Sequence, residues 1–159
     1  MVDGPSDTVE AIGNALDRGL ARHQAGDLNE AVACYGQVLA LKADQADALH
    51  YLGVALYQGG MLEAAVDHLE RAVAGKPESA EAFNHFGCAL LSQGRASDAE
   101  TAFSRACSLN ATHAEAHYNL GTVLQALDRA DEARKPLERA VELAPDQAIW
   151  LVKLAESYK

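Results

Sequence analysis

His85 and Cys88 stand one helical turn apart, and with His50 or Glu115 as a third donor they are the nearest the sequence comes to a set of metal ligands. A closed shell needs a second close pair. The six histidines supply none, because His23, His68 and His113 are scattered and fall at helix ends or outer faces, and His117 stands where a packed apolar residue is expected. No metal is therefore expected. Nucleophilic and phosphate chemistry find no footing either. There is no GxSxG, GxxxxGK[ST], HExxH or GxGxxG, and no Lys-Ser or Lys-Thr follows the turn at Gly59 and Gly60. Neither an enzyme activity nor a cofactor is expected.

Recognition chemistry is better supplied. At 100° per residue, Asp47, His50, Tyr51, Val54 and Tyr57 share one side of a helix whose other side carries Leu49, Leu52, Gly53 and Leu56. Glu81, Asn84, His85 and Cys88 repeat that side thirty-four residues later, and Glu115, Tyr118, Asn119 and Thr122 repeat it again. The tyrosines offer flat contact area, while the asparagines and histidines can exchange hydrogen bonds with a peptide backbone. The acids Asp47, Glu81 and Glu115 recur at one equivalent place with no Lys or Arg beside them, which favours a neutral or basic partner.

What positions these helices is a repeat. Gly19, Gly53, Gly87 and Gly121 are spaced by thirty-four residues, and one further step lands on Ala155. Copies run over 12–45, 46–79, 80–113 and 114–147, with an N-terminal segment 1–11 and a last helix 148–159, read as one domain. Each copy is helix, tight turn, helix. Large residues alternate with small ones across the pair, as in Leu52, Gly53 and Leu56 against Ala65, Leu69 and Ala72. Asp7 with Glu10 predicts a helix start near Thr8, and Ser97 with Glu100 predicts a second capping box. The first copy is degenerate, with Ala15, Arg18 and Arg22 where later copies carry large apolar groups, as suits an end helix with a solvated side. Pro136 predicts a bend in the last second helix. Arg71, Arg105 and Arg139 are expected to pair on the outer face with neighbours such as Glu70 and Glu138.

The pattern resembles the tetratricopeptide repeat, W-x2-L-G-x2-Y followed by A-x3-F and P. Copy two carries Leu49, Leu52, Gly53, Leu56, Ala65, Leu69 and Pro77; copy four carries His117, Leu120, Gly121, Leu124, Ala133, Leu137 and Pro145. The resemblance implies an all-α fold, a right-handed superhelical α-solenoid of antiparallel helix pairs, whose first helices line a concave groove for an extended peptide or a helix. It also implies that a carboxylate clamp of the chaperone-adaptor kind is lacking, since the basic residues it needs are missing. The runs DALHYLGVAL and AEAFNHFGCALLSQGRASDAE look like arrays that precede bacterial glycosyltransferase or sulfotransferase domains, which makes an N-terminal module of a larger enzyme the alternative expectation.

Composition agrees with a protein-binding scaffold. The chain has 159 residues, 49% hydrophobic and only 6% aromatic, and a formal net charge of −10 that repels nucleic acid and acidic membranes. No apolar run reaches the roughly 20 residues of a membrane helix, and MVDGPSDTVE lacks the basic start of a secretory signal, so the expectation is cytoplasmic. Cys34, Cys88 and Cys107 form no CxxC pair and read as buried thiols. In the last helix Leu151, Leu154, Ala155 and Tyr158 form the packing arc. Ile149, Trp150 and Val152 lie off it, and such exposed apolar groups mark a contact, self-association into a homo-oligomer being one form of it.

Overall fold

A computed structural model describes residues 5–158, and these form nine helices. The chain divides into two compact units, Met1–Pro77 and Glu78–Lys159, a division that falls between copies two and three. The first unit holds α1 (Pro5–Gln24), α2 (Leu28–Leu41), α3 (Ala46–Gln58) and α4 (Leu62–Gly75). The second holds α5 (Ala80–Ser92), α6 (Ala96–Leu109), α7 (Ala114–Ala126), α8 (Ala130–Leu143) and α9 (Ala148–Glu156). Within each unit the closest packing joins the two helices of one copy, α1 with α2 and α3 with α4, then α5 with α6 and α7 with α8.

One contact is repeated in all four pairs. Tyr35, Leu69, Phe103 and Leu137 have no exposed surface, and each lies against the glycine sixteen residues before it. A Cβ on Gly19 would come within 2.5 Å of the Tyr35 ring, and one on Gly53 or Gly87 within 2.6 Å of Leu69 or Phe103. At those distances the large side chain would have to leave its place, so glycine is what lets the two helices of a copy close. Each enclosed side chain then contributes roughly 2–3 kcal/mol of apolar burial.

The turns inside the copies share a second device. Gly26, Gly60 and Gly94 have φ of 82°, 78° and 77°, and Asp128 takes the same role at φ 59°. The next residue then donates its N–H to the carbonyl five residues back, as Met61 does to Leu56 and Arg95 to Leu90. This closed turn fixes where the following helix begins. Asp27, Met61, Arg95 and Arg129 are the N-caps of α2, α4, α6 and α8, and none uses its side chain as a cap. Ser97 therefore lies inside α6 rather than capping it, and Glu100 instead accepts from Arg129 at 2.7 Å. First helices start differently. Gln45 Oε1, Ser79 Oγ and His113 Nδ1 accept backbone N–H groups at the openings of α3, α5 and α7.

Several expectations are corrected. Helix α1 begins at Pro5, not near Thr8, because proline suits a first turn whose N–H needs no partner; Asp7 lies within that turn. Residues 1–4 of the N-terminal segment lie outside the described residues. Ala15 is buried with Val38 and Ala48, while Arg18 and Arg22 are exposed and bonded to Gln37 and Glu30. Arg71 donates to the Ala43 carbonyl at 2.8 Å, and Arg139 pairs with Glu142 rather than Glu138. Helix α8 runs continuously through Pro136 to Leu143. Leu151 and Tyr158 are 46% and 58% exposed, since among the described residues no second helix follows α9 to cover them. Tyr158 is held from outside instead, donating to Glu138 at 2.6 Å beneath the Arg134 guanidinium.

Candidate functional site

In the first unit the singled-out face of α3 is a seam of rings. His50 is buried and stacks on Tyr51 with centroids 5.1 Å apart; Tyr51 stacks on Tyr35 at 5.9 Å. His23, at the end of α1, closes the seam. Its Nε2 lies 2.9 Å from Gln58 Oε1, which puts the proton on that nitrogen and leaves Nδ1 to accept from the Tyr35 hydroxyl at 3.3 Å. His23, at a helix end as expected, is half-buried and takes part in the seam. Burial, with Tyr51 and Cys34 nearby, pushes the Tyr35 phenol up to about 12, so it remains a neutral donor. Val54 and Tyr57 are half-buried further along α3. Asp47, at its start, is in an ion pair with Lys76 from the end of α4.

In the second unit the equivalent seam is polar. Asn84 on α5 is 1% exposed, and its oxygen accepts from Asn119 Nδ2 on α7 at 2.9 Å; the same amide lies 3.5 Å from Cys88 Sγ. Tyr118 stacks on Trp150 of α9 at 5.0 Å, and Gln125 donates to the Lys153 carbonyl at 3.0 Å. Thr122 Oγ1 and Gln125 Oε1 are buried with no partner. Asn84 and Tyr118 hold equivalent places, and each is covered by the first helix of the next copy. A wheel drawn for one helix shows both as open; the fold covers them. Trp150 likewise is half-buried in a stack rather than displayed, whereas Ile149 and Val152 are 62% and 57% exposed.

What remains open in this unit is a cavity of about 580 Å³ at the starts of α5 and α7 and the end of α6. Glu81, Asn84, His85, Asn110 and Glu115 are in its wall, Glu78 stands at its edge, and no Lys or Arg lines it. Cys88 is one turn beyond. Burial, and then the Glu115 charge, pushes its thiol up to about 12, and burial pushes Cys107 up to about 11, so neither is a ready thiolate. Among the described residues no group of three His, Cys, Asp or Glu side chains is placed to hold a metal ion. A second cleft of about 450 Å³ lies between α7 and α8, lined by His117, Leu120, Pro136 and Arg139. His117 is half-buried, bonded to the Ala111 carbonyl at 3.2 Å.

The geometry defines a class: a repeat protein of stacked antiparallel helix pairs. Family models described as TPR repeat or tetratricopeptide repeat match residues 19–60, 47–79 and 86–148. The chain belongs to the tetratricopeptide-repeat family. No curated protein is a significant sequence match. Among solved structures, a crystal structure of MamA is 26% identical with a TM-score of 0.85, over 94% of this chain and 81% of that one. PilF of Pseudomonas aeruginosa is 22% identical with a TM-score of 0.85, over 94% and 68%. YrrB, described as a TPR protein with an unusual peptide-binding site, is 23% identical with a TM-score of 0.80, over 95% and 81%. None of these three is described as a glycosyltransferase or sulfotransferase, and the last two speak for the fold alone. With 370 chains of solved structure matching, the fold is shared too widely to name a partner. Among the described residues no helix is long and apolar enough to cross a membrane.

Proposed function

We propose that the protein is a non-enzymatic interaction scaffold that receives a neutral or basic peptide segment on the face of its first helices. The observation that carries this reading is the cavity of the second unit, walled by Glu81, Asn84, His85, Asn110 and Glu115 and lined by no Lys or Arg. It offers acceptors and amide donors to a backbone while its charge turns acidic ligands away. Panning a displayed library of linear peptides tests it, followed by hydrogen exchange with an enriched peptide bound. Protection is expected at the starts of α5 and α7. Failure to enrich any peptide, or protection confined to α6 and α8, overturns the reading.

A second contact is favoured by α9. Ile149 and Val152 present apolar side chains to solvent, and Leu151 adds to them. Val152 holds the place that Asn84 and Tyr118 hold in copies three and four, where the next first helix covers it. Self-association through this face is the reading it supports, with Trp150 acting from within as the stack that orients α9. Sedimentation across a dilution series should show a dimer that Val152→Glu dissociates; a monomer at every concentration removes it. The module of a larger bacterial transferase rests on resemblance between sequences and has no structural observation in its favour.

A further inference from the structure

Copy two already contains the interaction that copies three and four leave open. Asp47 is the second residue of α3, and the Lys76 ammonium lies directly on its carboxylate, both groups partly exposed. Thirty-four residues on, Glu81 is the second residue of α5, and Asn110 replaces the lysine; a further thirty-four on, Glu115 is the second residue of α7, and Ala144 replaces it. Glu81 and Glu115 have no basic partner among the described residues. Asn110, at the position equivalent to Lys76, lines the cavity of about 580 Å³ together with both glutamates. Asn84 borders the same cavity but is 1% exposed and bonded to Asn119, so the carboxylates are the groups open to an occupant.

We propose that this cavity takes the ammonium or guanidinium of a lysine or arginine side chain in a bound peptide. Glu81 and Glu115 hold it as Asp47 holds Lys76. The inference rests on the peptide-binding reading above and adds the residue that is selected. Because the carboxylates are partly solvated, the pair sets specificity more than affinity. Arginine is accepted at least as well as lysine, since its planar fork can meet both carboxylates.

The test pans one random linear-peptide library against the natural chain, Asn110→Lys, and Glu81→Gln/Glu115→Gln. The natural chain should enrich Lys or Arg at one aligned position by about threefold over the unselected library, the range exposed ion pairs give. Asn110→Lys supplies the missing internal ammonium, and the double variant removes the charge. Both should still enrich peptides yet lose the basic preference. Peptides enriched by the natural chain without a basic position overturn this proposal and leave the scaffold reading standing. A basic preference that survives Asn110→Lys also overturns it. If the natural chain enriches nothing, the peptide-binding reading itself falls. Circular dichroism on each variant confirms that the helices are kept.

Discussion

The two units use one register, but α1 and α3 of the first are joined by different chemistry from α5 and α7 of the second. In the first, α1 and α3 meet through His23, Tyr35, Tyr51 and His50, rings that fill the space between them. In the second, α5 and α7 meet through Asn84, Asn119 and the Cys88 sulfur, and two buried oxygens are left without partners. The glycine contact beneath both seams is the same. The difference teaches that the repeat separates tasks: the glycine and its large partner build the copy, and the residues between successive first helices are free to become either filler or recognition surface. The ring seam fills its space, whereas the amide seam lies beside an open cavity.

The shared glycine contact is where the largest effects are expected. Gly87→Val sets two methyl groups against the Phe103 ring, for which even a bare Cβ is too close, and should cost about 3 kcal/mol or more. Urea unfolding followed by the fluorescence of Trp150 reads this directly in the second unit. A loss below about 1 kcal/mol would mean that the helix pair is not held by this contact. The seams come next. Asn84→Ala leaves the Asn119 amide facing an empty buried space and should cost about 1–3 kcal/mol, whereas Tyr35→Phe deletes only the hydroxyl that His23 accepts and should cost about 1 kcal/mol. Equal losses would remove the contrast between a polar and an aromatic seam.

The parts of this fold that were legible are those repeated within one copy. Gly53 with Leu69 and Gly87 with Phe103 show small against large at a fixed interval, and Gly60 and Gly94 mark the left-handed stops. The misread residues depend on a neighbour beyond their own helix. Asn84 has the composition of a solvent-facing reader, and only the arrival of α7 buries it. Trp150 has the character of an exposed contact until Tyr118 lies under it. Ser97 obeys the capping-box pattern, yet the closed turn at Gly94 has already set the start of α6 at Ala96. Of the candidate site, the acids at equivalent positions were legible from spacing. That Lys76 satisfies one of them was not, because the pairing joins a helix start to the end of the following helix.

His117 makes the fourth copy sensitive to acid in a way its counterparts Leu49 and Phe83 cannot be. Burial first, with Arg139 and His113 adding repulsion, lowers its pKa below the ordinary 6.5, against the raising effect of its bond to the Ala111 carbonyl. The folded chain therefore binds this proton less readily than the unfolded chain, and stability is full above about pH 6.5 and falls as the pH drops from there towards the folded value. His117→Leu should flatten that part of the pH profile in urea unfolding. A slope unchanged by the substitution would assign it to other groups.

The smallest expected effect is a gain, and it falls at the turn where copy four departs from the other three. Asp128 holds φ 59° where Gly26, Gly60 and Gly94 hold 77–82°. A side chain there crowds the backbone, by less for aspartate than for most residues because its short polar group suits the left-handed region. Asp128 forms no ion pair among the described residues, so little is lost with its carboxylate. Asp128→Gly removes the crowding but gives the unfolded chain more freedom, and the balance should be a gain of about 0.5 kcal/mol. The reciprocal Gly60→Asp should lose about 1 kcal/mol, since there the same strain is added to the first unit. Urea midpoints that move in opposite directions for the two variants, at constant slope, would show the turn to be one device used in both units. A loss for Asp128→Gly would show instead that the aspartate is held by its surroundings, and that copy four closes its turn by a different route.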